Sequence, residues 1–116
     1  VYMGWSGKTR GPLIRVPSGR GENTRIELRS PDPTANPYLA LAVLLKAGLD
    51  GIRAQIMPPD SIDENIQKMT QQQRDALHVE ELPRTLKDAV SELEKDDLVL
   101  DVLGKELADK IIKAHK

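Results

Sequence analysis

The stretch from Asn36 to Gly51 constrains the fold more than any other part of the chain. Asn36 is a residue type that caps helices, and Pro37 suits the first helical position. Tyr38–Leu49 then reads as a helix carrying Leu39, Ala40, Leu41, Ala42, Val43, Leu44 and Leu45 in succession. No face of such a helix is polar enough to prefer water, so it is expected to be buried on several sides. Gly48 and Gly51 supply the expected stop.

The composition makes that burial hard to provide from within. Only 39% of residues are apolar, with no Phe, one Trp and two Tyr among 116 residues. Aromatic side chains contribute the largest buried areas, so Leu, Ile, Val and Ala must do most of the packing. A chain of this length suits one domain or part of one. The shortage fits a segment that leans on something else.

The residues before the helix read as strands and loops. Val1–Trp5 is a short apolar segment, Gly7–Gly11 a turn, and Leu13–Val16 a second strand stopped by Pro17. Ser18–Asn23 is a Gly-rich loop. Thr24–Ser30 alternates strictly, with Arg25, Glu27 and Arg29 on one face and Ile26 and Leu28 on the other. After the helix comes a connector with Pro58 and Pro59. Weak helical turns follow at Asn65–Lys68 and Thr70–Leu77. From Pro83 the pattern is amphipathic: Thr85 and Asp88 resemble a capping box, and Leu86, Ala89, Val90 and Leu93 share a face. Leu98–His115 is a further helix in which Gly104 permits a break. The expected class is α+β, with short antiparallel strands followed by a mainly helical C-terminal half. Residues 1–30 make the strands and loop, 36–50 the buried helix, and 83–116 a helical subdomain.

The overall charge of −1 hides a split. Residues 1–29 hold six cations against Glu22 and Glu27, a net of +4, which leaves −5 for the rest. A small, Arg-dominated cluster points to phosphate or carboxylate. Exposed aromatics for base stacking are scarce, which speaks against nucleic acid. Without cysteine there are no disulfides or thiolate metal sites, and a cytoplasmic location is expected. The longest apolar run, Tyr38–Leu45, is too short to span a membrane.

On the alternating strand, like-facing side chains recur about every 7 Å. An Arg–Glu–Arg order has two readings of equal weight. One is a solvated face of cross-paired charges. The other is a site where Glu27 takes a divalent cation and Arg25 and Arg29 hold anionic oxygens. Glu27 would then be one ligand among several, because Mg²⁺ needs further carboxylates, waters or phosphates. Arg10 and Arg15 stand on the neighbouring turn and strand, and converging guanidinium groups suit phosphoryl transfer. Arg20 is a lone loop arginine. Gly19–Gly21 lacks P-loop spacing. His78 and His115 have no metal-ligand partner at helical spacing, and Ser6, Ser18 and Ser30 have no nearby His base.

The run RGENTRIELRSPDPTANPYLALAVLLKAGLDGI, from Arg20 to Ile52, strongly resembles the glutamine synthetase family of bacteria and archaea. Trp5-Ser6, Pro12–Pro17, Asp63–Ile66 and Leu82-Pro83 extend the resemblance over essentially the whole chain. It implies an ATP-dependent ligase that phosphorylates the γ-carboxylate of glutamate and then lets ammonia displace the phosphate. It further implies Mg²⁺ or Mn²⁺, ATP as substrate, and a two-ring homo-oligomer, a dodecamer, with active sites between subunits. By the same resemblance Glu27 is a metal-binding carboxylate and Arg29 contacts glutamate or its phosphorylated form. Arg10 touches both ATP and glutamate, Arg15 the ATP phosphates, and Arg25 the nucleotide site.

Three positions, in two places, depart from the family pattern. Thr9-Arg10-Gly11 replaces the usual Asn-Arg-Ser, and Gln67 stands where some relatives carry an adenylylated tyrosine. The other metal ligands and the ammonia site of the family lie upstream of Val1, so the chain alone is expected to be inactive. Two alternatives remain: a related γ-glutamyl amide ligase that uses another amine, and a non-catalytic assembly or binding domain.

Overall fold

The computed structural model describes residues 1–115 of the chain. They form two compact units that interleave along the sequence: residues 1–32 with 58–82, and residues 33–57 with 83–116. The α+β class is observed, with three short strands and five α-helices among the described residues.

In the first unit, β1 (Tyr2–Ser6), β2 (Pro12–Arg15) and β3 (Glu27–Leu28) form one sheet in that order. β2 and β3 are antiparallel, as expected, and their register puts Arg15 opposite Glu27. β1 and β2 are parallel, which corrects the expectation of antiparallel strands throughout. The reason lies in the link from Gly7 to Gly11. It doubles back along β1 before β2 begins, so β2 runs in the same direction. The register slips between Tyr2 and Trp5. On its other edge β1 meets residues 80–82 through Met3 N–H to Glu80 O (2.7 Å) and Leu82 N–H to Val1 O (2.8 Å).

β3 is much shorter than the alternating run Thr24–Ser30 that announced it. Ladder pairing needs a partner, and β2 ends at Arg15 before the buried Pro17. Ile26 therefore stands 66% exposed. The unit's core is small: Ser6, Pro12 and Ile66 are its fully buried side chains. An open apolar hollow of about 550 Å³ lies over the sheet, lined by Met3, Trp5, Leu13, Val16, Ile26 and Pro59 among others. Ile66–Lys68 is a 3₁₀ turn capped by Asn65, and α2 (Gln71–Ala76) starts on a capping box of Thr70 and Gln73.

In the second unit, α1 runs from Pro37 to Arg53. Asn36 Oδ1 accepts from Tyr38 N–H (3.0 Å) and Leu39 N–H (3.3 Å), the cap read from sequence. Gly48 and Gly51 do not stop the helix; it passes through both. A helical glycine costs only about 1 kcal/mol relative to alanine, which does not interrupt an otherwise strong helix. The chain turns at Ala54, and Gln55 takes a positive φ of 54°.

No residue of α1 is buried among the described residues. Tyr38, Leu41, Leu45 and Ile52 are each at least 66% exposed. α1 packs on α4 (Asp97–Leu103), and α3 (Leu86–Glu94) packs on α4 and on α5 (Lys105–His115). One short helix covers one side of α1, so the burial its composition asks for is not supplied within the unit. Thr85 caps α3 through Asp88 N–H (3.1 Å). The helix expected over Leu98–His115 is two helices, broken at Gly104 where φ is 78°. Val90 and Ala108 form the buried centre.

Candidate functional site

Glu27 is the hub of the charged face of the sheet. Its Oε2 accepts from Arg15 Nη1 at 3.0 Å, across the β2–β3 pair. Its Oε1 accepts from Arg25 Nη2 at 3.0 Å, along the same strand approach. Arg25 also donates to Asn23 O. The carboxyl is held below its ordinary 4.5, first by the hydrogen bond from Arg15 and also by that from Arg25, against an opposing loss of water. Glu27 is therefore ionised throughout the neutral range.

Arg10 and Arg29 are arranged differently. Both are exposed, and among the described residues neither has an ion-pair partner. They border one hollow of about 180 Å³ with Val1, Tyr2, Gly11 and Gln67. An adjoining hollow of about 320 Å³ shares Arg10, Gly11 and Gln67 and adds Thr9 and Asn65. Arg29 N–H donates to Leu13 O (2.9 Å), which fixes its backbone just beyond β3. Arg20 folds back on its own loop, donating to Pro17 O (3.0 Å) and Gly19 O (2.8 Å).

The link that carries Arg10 is held by a residue pair that sequence reasoning missed. Ser6 Oγ donates to Asp63 Oδ1 (2.8 Å) and accepts from Lys8 N–H (3.0 Å) and Thr9 N–H (3.1 Å). Asp63 Oδ2 accepts from Ser61 Oγ (3.0 Å). Asp63 is held below its ordinary 3.8, first by Ser6 and then by Ser61, with Lys8 nearby adding a smaller push in the same direction. Ser6 and Asp63 lie 57 residues apart, and no local pattern joins them.

The donor set does not suit a divalent cation on its own. Both oxygens of Glu27 are engaged by guanidinium groups, and no cluster of three or more His, Cys, Asp or Glu among the described residues could hold a metal. What the face can hold is a small anion. Two unneutralised guanidinium groups on one hollow match carboxylate or phosphate oxygens in charge and geometry.

The class is that of an α+β chain with an arginine-rich sheet. The family follows from comparison. A model of the glutamine synthetase catalytic domain matches residues 1–116. The glutamine synthetase of Thermotoga maritima is 51% identical over 114 residues, covering 98% of this chain and 26% of that protein. That of Staphylococcus aureus (strain MW2) is 45% identical over 113 residues, covering 97% of this chain and 25% of that protein. The chain belongs to the glutamine synthetase catalytic-domain family. It spans about a quarter of the length of these curated relatives. No helix of the described residues is long and apolar enough to cross a membrane.

Proposed function

We propose that the chain is one wall of the active site of an ATP-dependent glutamate–ammonia ligase, part of a longer glutamine synthetase polypeptide and inactive alone. The observation that carries this reading is the pair Arg10 and Arg29. They line one hollow and have no ion-pair partner among the described residues, in a chain of this family. Such guanidinium groups suit a glutamate carboxylate or a transferring phosphoryl group, where catalysis is mainly positioning and charge stabilisation. In this reading Arg29 holds glutamate or its phosphorylated form, and Arg10 bridges glutamate and ATP. Arg15 and Arg25 face the nucleotide phosphates. Glu27 contributes one carboxylate to Mg²⁺ or Mn²⁺, whose remaining ligands lie outside this chain.

The exposed apolar sides of α1 support the same reading, since a helix of that composition is expected to be covered in a larger domain. Assembly as a dodecamer and a cytoplasmic location belong to the same proposal. The test is ATP- and ammonia-dependent glutamine formation, assayed with the full-length protein and with the isolated chain. Activity confined to the full-length protein is expected. Glutamine formation by the chain alone overturns the claim that it is only one wall. A full-length enzyme that prefers an alkylamine to ammonia replaces the ligase assigned here with a γ-glutamyl amide ligase.

A further inference from the structure

The five residues of the link from Gly7 to Gly11 carry Arg10 and would by themselves be a mobile turn, with glycine at each end. They are pinned from both ends by one distant segment, residues 59–67. That segment is itself locked to β1. Trp5 Nε1–H donates to Pro59 O (2.6 Å), and Ile62 N–H donates to Trp5 O (2.8 Å). A side chain on Gly4 would come within 2.8 Å of Ile62 Cδ1, so β1 and this segment are in close contact.

Ser6 begins the link and is completely buried. Its hydroxyl has one proton and two lone pairs, and all three are used. The proton goes to Asp63, and the lone pairs accept Lys8 N–H and Thr9 N–H. Fixing those two amides fixes the chain direction at the residue before Arg10. At the far end Gly11 lies against the fully buried Ile66, whose Cγ2 would be 3.0 Å from a Cβ at position 11. The next residue of the segment, Gln67, lines both hollows beside Arg10.

We propose that Ser6 and Asp63 are positioning residues for Arg10: the bond from the buried Ser6 hydroxyl to the exposed Asp63 carboxylate holds the link so that the guanidinium group faces the hollow it shares with Arg29. This rests on the role proposed above for Arg10. Asp63 acts through its oxygen acceptor, and Ser6 through two backbone amides. Neither touches the substrate.

The test is a double-mutant cycle in the full-length enzyme, reading kcat/KM for glutamate together with thermal stability. Asp63→Ala is expected to lower kcat/KM about tenfold in the native background and less than about twofold in an Arg10→Ala background. Asp63→Asn keeps an oxygen for Ser6 and an amide for Ser61, and is expected to stay within about twofold of the native enzyme. Ser6→Ala, read in the same way, serves if Asp63→Ala does not fold. Equal losses in both backgrounds, or no loss from either substitution, overturn the positioning role. An Arg10→Ala enzyme with native kcat/KM instead overturns the assignment of Arg10 on which the inference stands.

Discussion

The arginines of the sheet divide into two pairs. Arg15 and Arg25 spend their charge on Glu27, leaving a net of +1 over three side chains held in fixed geometry. Arg10 and Arg29 keep theirs, a +2 on two residues that line one hollow. The difference teaches where the basic character of residues 1–29 is available to a ligand. A guanidinium group already bound to a carboxylate offers direction and unused N–H donors but little field. An unpaired one offers both. The Arg–Glu–Arg pattern of the sequence is thus split: Arg25 is paired with Glu27, while Arg29, just past β3, keeps its charge and shares a hollow with Arg10 from the turn.

The largest expected effect comes from the hub that separates the pairs. Glu27→Ala in the full-length enzyme is expected to lower turnover by at least about a thousandfold, on the scale of losing an electrostatic contact to a transferring group. It removes the proposed metal carboxylate and also frees Arg15 and Arg25. A titration of rate against Mg²⁺ concentration is the check. An Mg²⁺ dependence unchanged from the native enzyme rejects Glu27 as a ligand and leaves it a purely structural hub.

The contrast itself is broken or kept by the next comparison. Arg29→Ala and Arg10→Ala are each expected to lower kcat/KM for glutamate about a hundredfold, and Arg25→Ala less than about tenfold. Steady-state kinetics on the three variants decide it. An Arg25 variant worse than both others would show that pairing in the isolated chain does not predict which guanidinium groups matter.

Local parts of this structure were legible in the sequence, and non-local parts were not. The caps at Asn36 and Thr85 depend on a side chain and an amide two or three residues away, so a short window contains all the physics. The Arg15–Glu27 pair was within reach because it sits on adjoining strand candidates. The length of β3 was not, because a strand lasts only as long as its partner, and alternation says nothing about where β2 ends. Likewise the direction of β2 depends on the path of the link from Gly7 to Gly11, whose first residues are tied through Ser6 to Asp63, far along the chain. The burial expected for α1 is not met within its own unit for a related reason. Composition states what a helix needs, while the described residues of its unit offer little beyond α4 to meet it.

A smaller effect concerns acid. Asp63 and Glu27 both have carboxyl groups held below their ordinary values of 3.8 and 4.5. A lowered folded-state value means that each contributes stability in full above its ordinary value and loses it as pH falls through the lowered one. Stability of the first unit is therefore expected to be flat from neutral pH down to about pH 5 and to fall below about pH 4. Trp5, the only tryptophan, donates to Pro59 O and reports this docking by fluorescence during thermal melts. Asp63→Asn is expected to make the acid limb shallower. A limb of unchanged steepness would show that Asp63 keeps an ordinary value.

The smallest effect tests the far end of the Arg10 link. Ile66 Cγ2 sits where a Cβ on Gly11 would come within 3.0 Å. Gly11→Ser should overpack this contact, a change that typically costs about 1–3 kcal/mol. The loss of glycine's freedom in the unfolded chain offsets about 0.4–1 kcal/mol of that. A net destabilisation of about 1 kcal/mol is expected from denaturant titration of the chain. Ile66→Leu removes the offending γ-methyl while keeping volume, so the double variant should recover most of the loss. Additive losses would mean that the link yields freely at Gly11, and that Ser6 and Asp63 hold it alone.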